Sequence, residues 1–454
     1  MTESVASLGT AEAPAADGSR PIAHLPFTHL LRISLYWLGL TAIDGAVGLF
    51  VQNRLNFGGF ADPLEVGRLT FLISIPAALI SIVIQPTVGS ISDYTISRWG
   101  RRKPFIVIGS LLDVVFLAGI ATANNVVALG AFIALLAFST NIARGPFQGY
   151  VPDLVSEKQV GLASAMVGLM QVLGNVTGFV LVTVAVLGGV IEAAIAAVAI
   201  VELVTMFAVV FRVGQGQPPK DRDGRSWGSI AAETWGTDIL KERSYVWMLT
   251  SRFFFLMGGA MLINYIITYL KQSHGLGEDS ANTANLVVLV AVVIANVIAI
   301  VPAARLSDRI GRKPVIYASC AVGLSGILIA AVAPTVPIAI VGATLFGASG
   351  GAFLAVDWAL MTDIIPKAAS GRYMGLSNVA TTSATLFAVA TGGLLLDAVN
   401  EGFGLGVGPR AAYLLGAIYY VIAALTLRPV VEPNRPTAQP SPPPAAAPAV
   451  SGSP

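Results

Sequence analysis

The 454-residue chain is poor in charge, in cysteine and in histidine, and each shortage excludes something. Only 11% of its residues are Asp, Glu, Lys or Arg, against roughly 25% in soluble domains. With 55% hydrophobic residues, it carries more apolar surface than a soluble core could absorb, which identifies a membrane protein. The lone Cys320 lies inside an apolar run, excluding a disulfide framework and a cysteine metal site. His24, His29 and His274 are scattered outside the apolar runs, so neither a metal site nor a catalytic histidine cluster is expected. No Gly-x-x-x-x-Gly-Lys-Ser/Thr loop occurs, which argues against ATP as a direct energy source. The Gly402–Gly408 alternation follows no strand and does not read as a nucleotide loop.

What is present is apolar length. A bilayer core of about 30 Å needs roughly 20 apolar residues as helix. By that rule the first six spans fall at 31–51, 67–91, 104–123, 126–147, 161–187 and 189–211. The second six fall at 246–270, 283–303, 314–333, 337–361, 372–396 and 411–428. The expected organisation is an all-α membrane protein of twelve transmembrane helices. It has a disordered cytoplasmic N-tail (1–29), an N-terminal six-helix half (30–212), a cytoplasmic linker (213–245), a C-terminal half (246–429) and a Pro/Ala-rich disordered C-tail (430–454). Residues 1–29 contain Glu3, Glu12 and Asp17 and lack an apolar core, unlike a signal peptide. With the N-terminus inside, inner segments hold 22 of the 27 Lys and Arg, and outer loops hold Arg54, Arg68, Lys271 and Arg410. That asymmetry predicts cytoplasmic termini in an inner or plasma membrane.

The chain also repeats itself. Gly89–Lys103 places Asp93 and then Gly100-Arg101-Arg102-Lys103 between the second and third spans. Leu306–Pro314 places Asp308 and then Gly311-Arg312-Lys313 between the eighth and ninth. Asp153-Leu154-Val155 with Gly161 matches Asp363-Ile364-Ile365 with Gly371, both offset by 210 residues. Two similar halves suggest a transporter, in which the halves enclose a substrate path.

These landmarks resemble the major facilitator superfamily, whose signature Gly-x-x-x-Asp-x-x-Gly-Arg-Lys joins spans two to three and eight to nine. The second copy keeps that spacing with Ala304 in place of the leading Gly, while the first has four extra residues between Asp93 and Gly100. The longer form, Asp-x-Thr-x-Ser-x-Trp-Gly-Arg-Arg, resembles the glycoside–pentoside–hexuronide cation symporters and the sucrose/proton symporters. Arg144-Gly145-Pro146-Phe147-Gln148 ahead of Asp153-Leu154 is similar to the sucrose group. The resemblance covers about residues 30–430. One position departs: where sucrose symporters carry a coupling acid, eight residues before the Gly-Pro, this chain has Ala137. Coupling would then need another carboxylate.

The resemblance implies a central cavity lined by spans one, four, seven and ten. Each has a charge in or near it: Asp44, Arg144, Arg252 and Asp357. An ionisable residue in a span costs about 2.5–3.5 kcal/mol on insertion scales and faces protein or water. Asp44 is expected to take and release a coupling proton, with Asp357 as second candidate; permanent pairing with the arginines is the alternative. Asp113, Glu192 and Glu202 also fall in spans and are expected to be structural pairs. For the loop motifs the expectation is a cytoplasmic gate. Asp93 would cap the N-terminus of span eleven, Arg101 or Arg102 would pair with Asp153, Asp308 would face span five, and Arg312 would pair with Asp363. The alternative is that these cations only follow the positive-inside rule. Trp37, Asn264, Tyr265, Trp358, Gln171 and Asn175 are candidate sugar contacts, with Tyr36 also available. Gly174-x-x-x-Gly178 reads as close helix packing.

The function these features imply is secondary transport by alternating access, with cation-coupled uptake of a sugar or glycoside. The coupling ion would be a proton, or alternatively sodium, with no other cofactor, no nucleic acid and a monomer in the bilayer. Catalysis is not expected, because the spans show no His/Glu metal cluster or nucleophile motif. Two alternatives remain. A proton-driven drug or metabolite exporter would carry a Gly-Pro-rich span five, and Gly168–Asn175 contains no Pro. A non-transporting sensor or scaffold would need a signalling domain, and the 33-residue linker is too short for most.

Overall fold

A computed structural model describes residues 24–156, 159–213, 221–233, 242–364 and 370–432. The N-terminal half contains α1 (Phe27–Ser34), α2 (Tyr36–Asn56), α3 (Val66–Asp93), α4 (Lys103–Thr122), α5 (Val126–Gln148), α6 (Tyr150–Leu154), α7 (Val160–Leu187) and α8 (Ile191–Arg212). A short α9 (Trp227–Glu233) lies in the linker. The C-terminal half contains α10 (Arg243–His274), α11 (Glu278–Ile310), α12 (Arg312–Val332), α13 (Val336–Ile364), α14 (Ser370–Phe403) and α15 (Val407–Thr426). Twelve of these are long and apolar enough to cross a membrane, and they are the twelve expected spans.

Their ends outrun the apolar stretches. Helices α10 and α11 extend past the expected 246–270 and 283–303. Hydropathy marks only the bilayer core, whereas internal backbone hydrogen bonding carries a helix into the interface. Lys271, Gln272, Glu278 and Asp279 occupy those extensions.

The sequence repeat is also a packing repeat. In the N-terminal half α2 packs on α7 and α8, α3 on α5, and α4 on α5 and α8. The C-terminal half repeats every one of these pairings: α10 on α14 and α15, α11 on α13, and α12 on α13 and α15. The halves meet where α3 runs along α14 and α7 along α11. Gly174 and Gly178 bring α7 onto the α2 backbone as expected; a Cβ at Gly178 would lie 2.6 Å from the Ala46 nitrogen. The two motif glycines have a conformational reason to be glycine. Gly100 has φ +92° and Gly311 has φ +100°, a region that side chains disfavour.

Two expectations about the tails need correcting. Helix α1 begins at Phe27, inside the stretch expected to be disordered. Its Leu30 and Ile33 are buried in the N-terminal half, and the Gln159 side chain holds the Leu25 backbone through two hydrogen bonds of 2.8 Å. At the other end Val430 is buried, and the Glu432 carboxylate accepts from the Arg312 N–H at 2.7 Å. An anion at the start of α12 meets the positive end of the helix dipole, which orders the chain past residue 430. The remainder of both expected tails, 1–23 and 433–454, lies outside the described residues.

Candidate functional site

Call the side that carries Asp93 and Asp308 the motif face. On α2, residues Leu40 to Val51 are buried apart from the half-buried Val47 and the exposed Asp44 and Gly48. Asp44 and Gly48 are one turn apart, so one narrow face of a buried helix opens onto space within the bundle. Arg144 on α5 donates to the Asp44 carboxylate at 2.7 Å and reaches the Leu40 carbonyl at 3.4 Å.

The C-terminal half has a matching pair in a drier setting. Arg252 on α10 pairs directly with Asp357 on α13, their side chains only 5% and 2% exposed. Thr381 lies 3.4 Å from the guanidinium, and the Trp358 ring lies 5.5 Å from it, within cation–π range. The four charges expected to line a cavity therefore form two pairs, of which only Asp44–Arg144 is open to solvent and Arg252–Asp357 is buried. Each joins the first and fourth spans of its own half, and the acid sits on the first helix in one half and on the fourth in the other.

The sugar-contact candidates divide in two. Trp358 is exposed, and Asn264, Gln171 and Asn175 are half-buried. Trp37 and Tyr265 differ from expectation because helix packing occupies them. Trp37 is buried against Phe147 with centroids 5.6 Å apart, and the buried Tyr265 donates to the Val389 carbonyl at 2.6 Å. Tyr36 is likewise a core residue.

At the motif face both arginines of the first copy reach Asp153, Arg101 at 2.6 Å and Arg102 at 2.8 Å. Arg102 also pairs with Asp93 at 2.9 Å and donates to the Pro146 carbonyl at 2.8 Å. Burial pushes the neighbouring Tyr150 phenol above its ordinary range, so it stays neutral. The N-terminal turn of α14, which Asp93 was expected to cap, adjoins 365–369, outside the described residues. In the second copy Arg312 donates to Asp308 at 2.9 Å and to Ser307 at 2.7 Å. Asp308, expected to face α7, is 64% exposed. The side chain of Asp363, the expected partner of Arg312, lies outside the described residues.

Sequence reasoning missed the role of the motif lysines. Lys103 donates to the Val213 carbonyl at 2.8 Å, and Lys313 to the Val430 and Arg428 carbonyls at 2.7 and 3.0 Å. Each caps the C-terminal end of the last span in its half, where a cation complements the helix dipole. The shared offset of the two lysines within the repeat was the available signal.

The face opposite the motifs was missed as well. There Asn53 and Asn282 exchange amide hydrogen bonds of 3.0 and 2.7 Å across the halves. Gln52 accepts from the Ile267 N–H at 3.2 Å, and Asn56 donates to Thr268 at 3.0 Å. Asp397 on α14 accepts from the Gly67 and Arg68 N–H groups at 2.9 and 2.6 Å, capping α3 from the other half. Glu192 pairs with Arg54, a structural pairing as expected. Asp113 and Glu202, also expected to be structural, lie together in the core of the N-terminal half, each fully buried.

The Major Facilitator Superfamily model matches residues 30–295 and 248–452. A general alpha-glucoside permease of Schizosaccharomyces pombe is 32% identical over 168 residues, covering 33% of this chain and 30% of the permease. A sucrose transport protein of Arabidopsis thaliana is 29% identical over 120 residues, covering 22% of this chain and 20% of that protein. The chain thus spans less than a third of the length of these relatives. Among solved structures, the nucleoside transporter NupG superposes with a TM-score of 0.61 at 14% identity, covering 88% of this chain and 98% of that one. An inward-facing, unoccupied bacterial homologue of the lysosomal transporter Spinster superposes with 0.67 at 14% identity, covering 88% and 95%. At such identities the likeness shows the fold.

Proposed function

We propose a function from one premise: this chain belongs to the Major Facilitator Superfamily and is a membrane transporter. We infer that it takes up a sugar or glycoside by alternating access, coupled to a cation, with the proton as that ion and Asp44 as its carrier. Its work is translocation rather than catalysis. The partial likeness to an alpha-glucoside permease and a sucrose transport protein supports the sugar class. The excess of Lys and Arg on the motif side supports a cytoplasmic motif face. With the opposite face joined by Asn53–Asn282 and Asp397, this conformation then reads as inward-facing.

The observation that carries the coupling reading is the exposed Asp44 on an otherwise buried helix, held by Arg144. Facing open space beside a guanidinium, the group can exchange its ionic contact without breaking a packed core. Rocking of the halves would draw Arg144 away from Asp44, so that the contact is exchanged once per transport cycle. Asp357, buried against Arg252, is the second candidate, and its pair would have to open before it could exchange a proton. Trp358 would offer a stacking face to a sugar ring, and Asn264, Gln171 and Asn175 would offer amides. Asp93, Arg101, Arg102 and Asp153, with Asp308, Arg312 and Asp363, would act as the cytoplasmic gate, rearranging when that side closes.

The test is uptake of a radiolabelled sugar and glycoside panel into proteoliposomes, with and without an inward proton gradient. Gradient-driven accumulation that disappears in Asp44→Asn while downhill exchange survives is expected. No sugar moving under any gradient would overturn the sugar reading, and sodium-driven accumulation would overturn the proton.

A further inference from the structure

Two acids lie fully buried within the N-terminal half, away from the Asp44–Arg144 pair. Asp113 on α4 and Glu202 on α8 are each ten residues from the motif-face end of their helix, about 15 Å along it. That is half of a bilayer core of about 30 Å. Both side chains are fully buried. The Asp113 Oδ1 accepts from the Ser139 hydroxyl and from Thr140 at 2.9 Å. The Glu202 Oε1 accepts from the Tyr36 hydroxyl at 3.3 Å, and that hydroxyl lies 2.5 Å from Ser110.

Among the described residues these bonds leave the Asp113 Oδ2 and the Glu202 Oε2 buried without a hydrogen-bond partner, with the Ser110 hydroxyl also within reach of the Glu202 carboxyl. The two carboxyls are within hydrogen-bonding reach of each other. Two carboxylates in such contact would repel, and a pair sharing a buried site cannot both ionise readily. A proton between the two orphan oxygens removes the repulsion and satisfies both. The other charged or titratable groups facing the pair are Tyr36 on α2 and Arg144 on α5, while α4 and α8 contribute the acids themselves. Arg144, which holds Asp44, is also within electrostatic reach of Asp113, with no direct contact between them in this conformation.

We propose that Asp113 and Glu202 jointly bind one proton, forming a second proton site in the core of the N-terminal half, and that Arg144 links it to Asp44. Binding converts two carboxylates into one O–H···O⁻ pair; when Arg144 turns from Asp44 toward Asp113, the pair gives up its proton and the Asp44 carboxylate, left without its cation, is the group that accepts it. Only the link to Asp44 rests on the proton-coupled reading above.

The experiment is infrared spectroscopy of the full-length protein in lipid nanodiscs, following the protonated-carboxyl stretch across neutral pH. The wild type is expected to show such a band, slow to shift in D2O. Asp113→Asn and Glu202→Gln should each abolish it, since an amide bridges the gap without a titrating proton. Asp44→Asn, which frees Arg144 toward Asp113, should keep the band but move its loss to lower pH, and Arg144→Gln in that background should move it back to higher pH, because the cation favouring ionisation is gone. Tyr36→Phe, which keeps both acids, should shift the band without removing it, so the site remains testable if an amide variant does not fold. A band surviving in both amide variants, or no band in the wild type, overturns the proposal. A band that appears only on sodium withdrawal overturns it too, assigning the oxygens to a metal cation. No substrate is needed, so failed sugar uptake leaves this result standing, and a missing band leaves the uptake result standing.

Discussion

The two halves solve one problem in opposite ways. Each ties its first span to its fourth by an Asp–Arg pair, but Asp44–Arg144 is 46% and 19% exposed, whereas Arg252–Asp357 is 5% and 2% exposed. Water at the first pair makes its contact easy to exchange, and exposed pairs contribute little stability. Dryness at the second makes its breaking costly, because either partner left alone is a buried charge. The halves thus share a packing plan but not a division of labour. The N-terminal pair suits a switch, and the C-terminal pair suits a fastening.

The contrast can be broken most directly by Asp357→Ala. It should cost about 3–5 kcal/mol by stranding Arg252, while Asp44→Ala should cost about 0–1 kcal/mol. Thermal unfolding of both variants in detergent checks this, and equal losses would erase the distinction. Replacing both members, Arg252→Met with Asp357→Leu, should recover most of the loss, because no charge then remains buried.

The two loop motifs offer the next test. Asp153→Asn weakens contacts to two guanidiniums in a buried setting and should cost about 1–3 kcal/mol. Asp308→Asn, on a 64% exposed side chain, should stay within about 0.5 kcal/mol. The same unfolding assay would show whether the first motif copy is the more structural. A smaller effect is expected from Asp397→Asn, which weakens the cap on α3 by about 0.5–2 kcal/mol. Because the native Cys320 is buried, a Gly48→Cys probe beside Asp44 can report access. Maleimide labelling from the face opposite the motifs should rise severalfold in Asp397→Asn, and unchanged labelling would deny that cap a role in closure.

Much of this architecture is legible in the sequence because it is written in large signals. Twelve apolar runs mark twelve helices, and the spaced Asp and Gly-Arg-Lys landmarks mark the repeat. Charges inside spans identify Asp44, Arg144, Arg252 and Asp357 as special, since the bilayer penalises each of them. Their partners are not legible, because pairing depends on how helices 100 residues apart are rotated against one another, as for Asp44 and Arg144. Trp37 and Tyr265 show the same limit from the other side. Their composition suits a sugar, but only packing reveals that Phe147 and the Val389 carbonyl occupy them. The amides opposite the motifs were invisible for a different reason. Asn53 and Asn282 lie 229 residues apart, carry no charge and sit at helix ends where polar residues are ordinary.

The Asn53–Asn282 exchange also sets how the contact between the halves on that face responds to salt. A contact made of neutral amides has no ionic atmosphere to screen it, whereas free charges lose their mutual attraction beyond about 8–10 Å in physiological salt. A solution bathing that face can therefore swing from dilute to saline without loosening this fastening.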